Sequence, residues 1–207
     1  MEMIAQLVAL VFGLTLHEFA HALAGHYLGD TTASERGRLS LNPLAHIDPV
    51  ATLLLPLSLI LLQSPVVFAA AKPVPFNPYM LRGGRWGAAL VALAGPATNF
   101  LLAAFFAAWS HLIAFNAVSA TFFAAMILVN VGLGVFNLIP FPPLDGSRLL
   151  YAVAPSGVRE IMDKIEQLGF MFLLVVMLVG YQFIAPYVAR ATLWVASLLL
   201  GGGGQLP

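Results

Sequence analysis

Four runs of residues, 3–28, 86–110, 117–139 and 166–189, are each long and apolar enough to cross a bilayer, since a spanning helix needs about 20 such residues. A chain with four such runs has few folds open to it. In hydrocarbon every backbone polar group must be satisfied internally, and unbroken runs of this length do so as helices. The composition agrees: 60% of the 207 residues are hydrophobic and 9% are charged, against about 25% charged in a soluble domain. A formal net charge of zero argues against a nucleic-acid partner. The absence of cysteine removes disulfide frameworks, thiolate zinc sites and cysteine nucleophiles. Met1 and Glu2 supply no basic leader, and the apolar run that follows outlasts a signal peptide. A cleaved signal is therefore not expected.

The segments between these runs are more irregular. Residues 30–47 are polar for this chain, and "GRLSLNPL" at 37–44 alternates as a short strand would. Residues 50–71 could span, but Pro56 and Gln63-Ser64-Pro65 interrupt them. If they span fully, the nine Lys and Arg residues divide three to six between the two sides. If they dip in and return, eight fall on one side and only Arg190 lies opposite. Basic residues concentrate on the cytoplasmic side, so the re-entrant reading is preferred, with a water-filled cavity to satisfy its broken backbone. "KPVPFN" at 72–77 is predicted as a second short strand, "LDGSRLLYAVAP" as a short helix and "SGVREIMDKIEQ" as an amphipathic connection. The expected fold is an all-α polytopic membrane protein. It has about four full spanning helices, a re-entrant or broken segment and short membrane-associated β-strands. Residues 1–200 are expected to form one membrane-embedded domain, with 201–207 as a flexible tail.

The chemistry concentrates in "GLTLHEFAHALAGHYLGD" at 13–30. Residues four apart share one helix face, about 5–6 Å between Cβ atoms, so His17 and His21 can grip one ion with Glu18 beside it. This is the H-E-x-x-H pattern of zinc hydrolases, two imidazoles on the metal and a Glu for the water proton. Ionisable groups inside a spanning helix are rare and read as functional by default. A third ligand is needed. A metzincin would have Gly at 24 and His at 27, where this chain has Ala24 and Tyr27. His26 is off the shared face, Glu35 lies in the polar loop, and Asp48 sits at the edge of the expected cavity. Asp145 is the best candidate, because it follows the third run at a proline-rich break on the side where the first helix ends.

HEFAH on an early spanning helix and "NLIPFPPLDG" on a later one together resemble the site-2 protease family of intramembrane zinc metalloproteases. The family's N-x-x-P-x-x-P-L-D-G is matched by Asn137, Pro140, Pro143, Leu144, Asp145 and Gly146. "AGPATNF" at 94–100 resembles its Gly-Pro-x-x-Asn. In size, and in lacking an inserted PDZ or nucleotide-sensing domain, the chain is similar to the minimal bacterial members. The resemblance implies that His17, His21 and Asp145 bind one catalytic Zn2+ and that Glu18 activates the water. It also implies that Asn137 steadies the oxyanion or the substrate carbonyl, although a helix-end cap at a proline break is another reading of that residue. Asn99 either hydrogen-bonds near the metal and substrate or serves as packing between helices. The 72–77 segment resembles a substrate-binding loop of these proteases, with Pro73, Val74, Pro75, Phe76 and Asn77 as candidate contacts. It could equally be a polar linker at the membrane surface.

The expected activity is therefore hydrolysis of a peptide bond in or near a transmembrane segment of a membrane-protein substrate. The expected setting is the lipid bilayer of a bacterial inner membrane, with the active site towards the cytoplasm. Control is expected from a regulatory membrane partner, a second copy of the chain or substrate presentation. A metal-ion transporter using the same His and Asp groups is the alternative, since such residues also mark ion pathways. Their clustering at one depth, and a base placed for hydrolysis, weigh against it.

Overall fold

A computed structural model describes residues 1–63, 71–112 and 116–202 of the chain. Four helices in it are long and apolar enough to cross a membrane: α1 (Glu2–Tyr27), α4 (Arg85–Ser110), α5 (Ala117–Asn137) and α8 (Gly169–Leu199). They fall on the four predicted runs. The last is longer than the apolar count implied, and carries helix through Arg190 towards the tail. Between them lie the short helices α2 (Thr32–Glu35), α3 (Leu55–Leu61), α6 (Asp145–Val153) and α7 (Ser156–Gln167).

Helices α1, α4 and α5 pack on one another to make the centre of the bundle. Between helices in lipid no hydrophobic effect operates, and close approach of small residues supplies the packing instead. Ala5, Ala9 and Gly13 repeat every four residues along the buried face of α1, while α4 buries Ala88, Ala92, Gly95, Ala103 and Ala107. Towards the far end of the bundle Phe106, Trp109, Phe122 and Phe123 meet edge to face, with Phe106 and Phe123 at 5.6 Å. The outward faces stay apolar and exposed, as at Leu7, Val11, Leu90, Leu101, Val179 and Phe183, which is the surface a bilayer requires.

Helix α8 is attached at both ends. Leu173 and Met177 pack with Leu144 in front of α6, and Ala196 and Leu200 join the central core. Between these anchors α8 stands off α5, leaving an open apolar groove of about 440 Å³ lined by Val135, Ile139, Phe183, Ile184, Tyr187 and Val188. No ligand candidate lines it.

The segment after α1 returns to where it starts. Asp48 caps a π-helical turn over Pro49–Leu54, accepting from Val50 and Ala51 N–H at 2.9 Å each, and the turn runs into α3. At 1.5 Å per residue the stretch from Pro49 to Leu61 reaches only about 20 Å, short of the roughly 30 Å of a bilayer core. Residues 64–70, including Ser64 and Pro65 where the sequence predicts a turn, lie outside the described residues. Lys72 N–H donates to the His46 carbonyl at 2.9 Å, so the residues on either side of the excursion lie next to each other. Asp48 caps the segment with its side chain, whereas His46 meets Lys72 only through its backbone carbonyl, its ring Nε2 lying 2.8 Å from Ser40 O.

The expected β-strands do not form: no strand occurs among the described residues. Residues 37–44 coil instead, because the Asn42 side chain accepts from Leu44 N–H and starts a 3₁₀ turn over Pro43–Ala45. In 72–77 Pro73 and Pro75 have no N–H to give a ladder. The donors of Lys72, Val74 and Asn77 are spent on His46, Glu18 and Asp30.

Candidate metal centre

Successive turns of α1 carry His17 and His21, ring centroids 4.6 Å apart, and turn them towards α4. Asp145 opens α6 just after the proline-rich loop, which Leu144 pins against Leu173 and Met177. Three atoms converge: His17 Nε2 and His21 Nε2 at 3.0 Å, and Asp145 Oδ2 at 3.1 and 3.3 Å from them. No other group of three or more potential ligands gathers among the described residues.

The hydrogen bonds behind the imidazoles say what these atoms present. His21 Nδ1 faces the Val91 carbonyl at 2.8 Å and must donate to it. His17 Nδ1 faces Asn99 Oδ1 at 2.6 Å and must donate as well. In each neutral ring the proton is thus on Nδ1, and Nε2 is left with a lone pair. Asp145 Oδ2 is buried and receives no hydrogen bond. Three lone pairs aimed at one point repel one another unless a cation lies between them. The spacing suits zinc. Tetrahedral bonds of 2.0–2.1 Å put neighbouring ligand atoms about 3.3 Å apart, and two imidazoles with one carboxylate leave an open position, as catalytic zinc sites do. The residues fit the metal.

Behind His17 the Asn99 amide spends both its N–H bonds, on Gly13 O at 3.2 Å and on Asn130 Oδ1 at 3.0 Å. Asn130 in turn donates to Met126 O at 2.8 Å, and both asparagines are fully buried. Gly95 of α4 lies close against both imidazoles. A Cβ there would sit 2.6 Å from His21 Cε1 and 2.7 Å from His17 Cε1, and nearer still to His21 Nε2.

Glu18 is buried beside the ligands, and its Oε2 accepts the Val74 N–H at 3.2 Å. Residues before a proline are held extended, and Lys72, Val74 and Asn77 each precede one. The segment 72–77 is therefore a stiff strap that reaches the centre. Asp30, 1% exposed, accepts Asn77 N–H at 2.6 Å and Thr32 N–H at 2.9 Å. Burial works against its charged form, yet the bonds from Thr32 and Asn77 prevail and hold its carboxyl below the usual range. On the other side Arg148 of α6 lies over the Phe76 ring, 5.3 Å from its centroid, and pairs with Glu166 of α7.

The structure thus brings His17, Glu18, His21, Asp145, Asn99 and the strap together. It turns Asn137 elsewhere, its amide donating to Leu133 O at 3.0 Å one turn back on α5. His26 and Glu35 are exposed, the latter accepting from Thr31. Sequence reasoning overlooked Asn130, although a buried amide in a spanning helix is itself a polar anomaly. It also overlooked Asp30 and Arg148, and it gave no role to Gly95, the first residue of the Gly-Pro-x-x-Asn match; what each touches follows from tertiary contact alone.

Comparison with known proteins agrees with this geometry. Residues 110–180 match Peptidase family M50. YwhC of Bacillus subtilis (strain 168) is 38% identical over 81% of this chain and 77% of its own length. Rip2 of Mycolicibacterium smegmatis is 30% identical over 95% of this chain and 76% of its own length. The names of both class them with zinc metalloproteases. RasP of Shouchella clausii, also named a zinc metalloprotease, is 41% identical over 28% of this chain and 15% of its own. No solved structure matches the chain. With the three-ligand centre on the motif residues and two relatives spanning most of the sequence, the chain belongs to the site-2 protease family of intramembrane zinc metalloproteases, peptidase family M50.

Proposed function

We propose that the chain is a zinc endopeptidase that cuts a peptide bond in or near a transmembrane segment of a membrane-protein substrate, with His17, His21 and Asp145 as its metal ligands. The observation that carries this reading is the convergence of His17 Nε2, His21 Nε2 and Asp145 Oδ2, with the buried carboxylate of Glu18 beside them but outside that group. Zinc, when bound, polarises the scissile carbonyl and makes water acidic enough to ionise near pH 7. Glu18 takes the proton of the attacking water and passes it to the leaving amine. Its Oε2 is steadied by Val74, which leaves Oε1 for that proton. Asn137 supplies an uncharged donor to the developing oxyanion once its amide releases the Leu133 carbonyl.

A substrate helix must unwind before its backbone reaches the centre, and the strap offers replacement partners. Pro73 and Pro75 cannot donate, so what they present to an extended peptide is carbonyl oxygens. Phe76 and Asn77 anchor the strap through Arg148 and Asp30. Loss of the Arg148 contact should loosen it by about 0.5–1 kcal/mol. For Arg148→Ala we expect a KM rise of roughly 2–5-fold with zinc content unchanged, read by steady-state cleavage and elemental analysis. A variant that loses zinc would place Arg148 in support of Asp145 instead.

The returning excursion leaves eight of the nine basic residues at one end of the bundle, the end that holds the centre. By the charge rule that end faces the cytoplasm, and the bilayer is a bacterial inner membrane. Residues 1–200 act as one membrane-embedded domain, and regulation comes from a membrane partner or a second copy. A transporter is the weaker reading, because its ligands would be spread along a path and not gathered at one depth.

The test is cleavage of a labelled transmembrane peptide by the purified protein, before and after chelation. A strong chelator should abolish cleavage, and one equivalent of zinc should restore it. Cleavage that survives complete removal of zinc, or zinc flux into liposomes without cleavage, would sink the proposal.

A further inference from the structure

The three-helix junction behind His17 contains a polar chain with a fixed direction. We propose that Asn130 is a positioning residue for the metal centre, acting through Asn99 to hold His17 with its Nε2 lone pair towards the metal; this rests on the zinc reading above. The direction follows from groups that cannot be reversed. Met126 O is a carbonyl and only accepts, so Asn130 must turn its NH₂ to it, at 2.8 Å, and its Oδ1 towards α4. Asn99 must then offer N–H to Asn130 Oδ1 at 3.0 Å. Gly13 O, at 3.2 Å, demands the second N–H of the same amide. With both N–H bonds committed, Asn99 has only Oδ1 left for His17, and the ring must place its proton on Nδ1, at 2.6 Å.

Every member of this chain is sealed from solvent. Asn99 and Asn130 are 0% exposed and His17 is 3% exposed, so water cannot replace a lost partner or reorient an amide. The three helices are held at the spacing the chain needs. A Cβ on Gly13 would stand 2.5 Å from Asn130 Oδ1, so α1 passes α5 closely enough for the amide to reach between them. Asn130 itself has no contact with the three ligand atoms. Its effect on them passes through Asn99.

Partners one step outside a metal site typically change metal affinity about 10–100-fold when removed. Zinc affinity is measured by competition with a chromogenic chelator on the full chain in detergent, in wild type, Asn99→Leu, Asn130→Leu and the double variant. We expect Asn99→Leu to weaken zinc binding by about 100-fold and Asn130→Leu by about 10-fold. In the Asn99→Leu background, Asn130→Leu should add nothing further. Asn130→Asp tests the same idea without loss of polarity. In its neutral form it keeps an oxygen for Asn99 and an O–H for Met126 O, and should restore zinc binding to within a few-fold of wild type. Unchanged affinity in Asn130→Leu, or losses in the two single variants that simply multiply in the double, would overturn the relay while leaving the zinc site intact. Wild type that binds no zinc would overturn the zinc reading itself, and the relay with it. Should Asn130→Leu fail to fold, the Asp variant decides: affinity as poor as that of Asn99→Leu would refute the proposal.

Discussion

Glu18→Gln should lose cleavage by about 10²–10⁴-fold, the usual contribution of a general base, while keeping its zinc. The prediction separates two roles that a single deletion would blur. Gln is close to Glu in size and retains an oxygen, so the hydrogen bond from Val74 N–H persists and the strap stays in place. What disappears is the group that takes the water's proton. The ligands His17, His21 and Asp145 are untouched, and elemental analysis should return the wild-type zinc content. Turnover of a transmembrane peptide is the second readout. Near-normal turnover in Glu18→Gln would remove Glu18 from the chemistry. Loss of zinc would make it a ligand.

Gly95→Ala should cost the protein its zinc without costing it its fold. The new methyl would lie 2.6–2.7 Å from carbons of both imidazoles, well inside van der Waals contact. A flexible side chain would swing aside, but these rings are held from behind, His17 by Asn99 and His21 by the Val91 carbonyl. Relief requires a ring to leave the ligand triangle or α4 to back away from α1. The first displaces a ligand, and the second takes Asn99 and Val91 away from both rings, so zinc affinity should fall by at least the roughly 10–100-fold that loss of an outer partner costs. Alanine favours a helix over glycine by about 1 kcal/mol, so helix formation in α4 is not weakened. Zinc affinity and helicity by circular dichroism should therefore move independently. Zinc binding at wild-type strength would mean that the rings have room the structure does not show.

What could be read from the sequence followed from strong local signals. The spanning helices were visible because each is a long apolar run. His17, Glu18 and His21 were visible because ionisable groups in such a run need a reason, and their spacing supplied one. Asp145 was reachable because the motif and the side of the membrane agreed. The strands were misjudged for an equally physical reason. Alternation of side chains in 37–44 describes what a sheet could bury, and the prolines of 72–77 favour extended backbone, but whether the N–H groups find a ladder depends on what lies opposite. In 72–77 they find the His46 carbonyl, Glu18 and Asp30, and in 37–44 Leu44 N–H finds the Asn42 side chain. Asn130 and Gly95 matter because of a neighbouring helix, and a single helix's pattern does not reveal which neighbour it meets.

The division of the ligands between α1 and α6 also sets the order in which the molecule is made. Helix α1 leaves the ribosome before α4, α5 and α6, and it enters the bilayer with two imidazoles and a carboxylate that nothing yet compensates. Its apolar remainder must outweigh a penalty of about 2.5–3.5 kcal/mol for a charged group at the helix centre, which neutral imidazoles help to lower. Val91 and Asn99 arrive with α4, and Asn130 with α5. The third donor comes only when α6 is synthesised. A nascent chain therefore lacks its complete metal site until α1, α4, α5 and the start of α6 have all been made, so the centre cannot act before those helices are together.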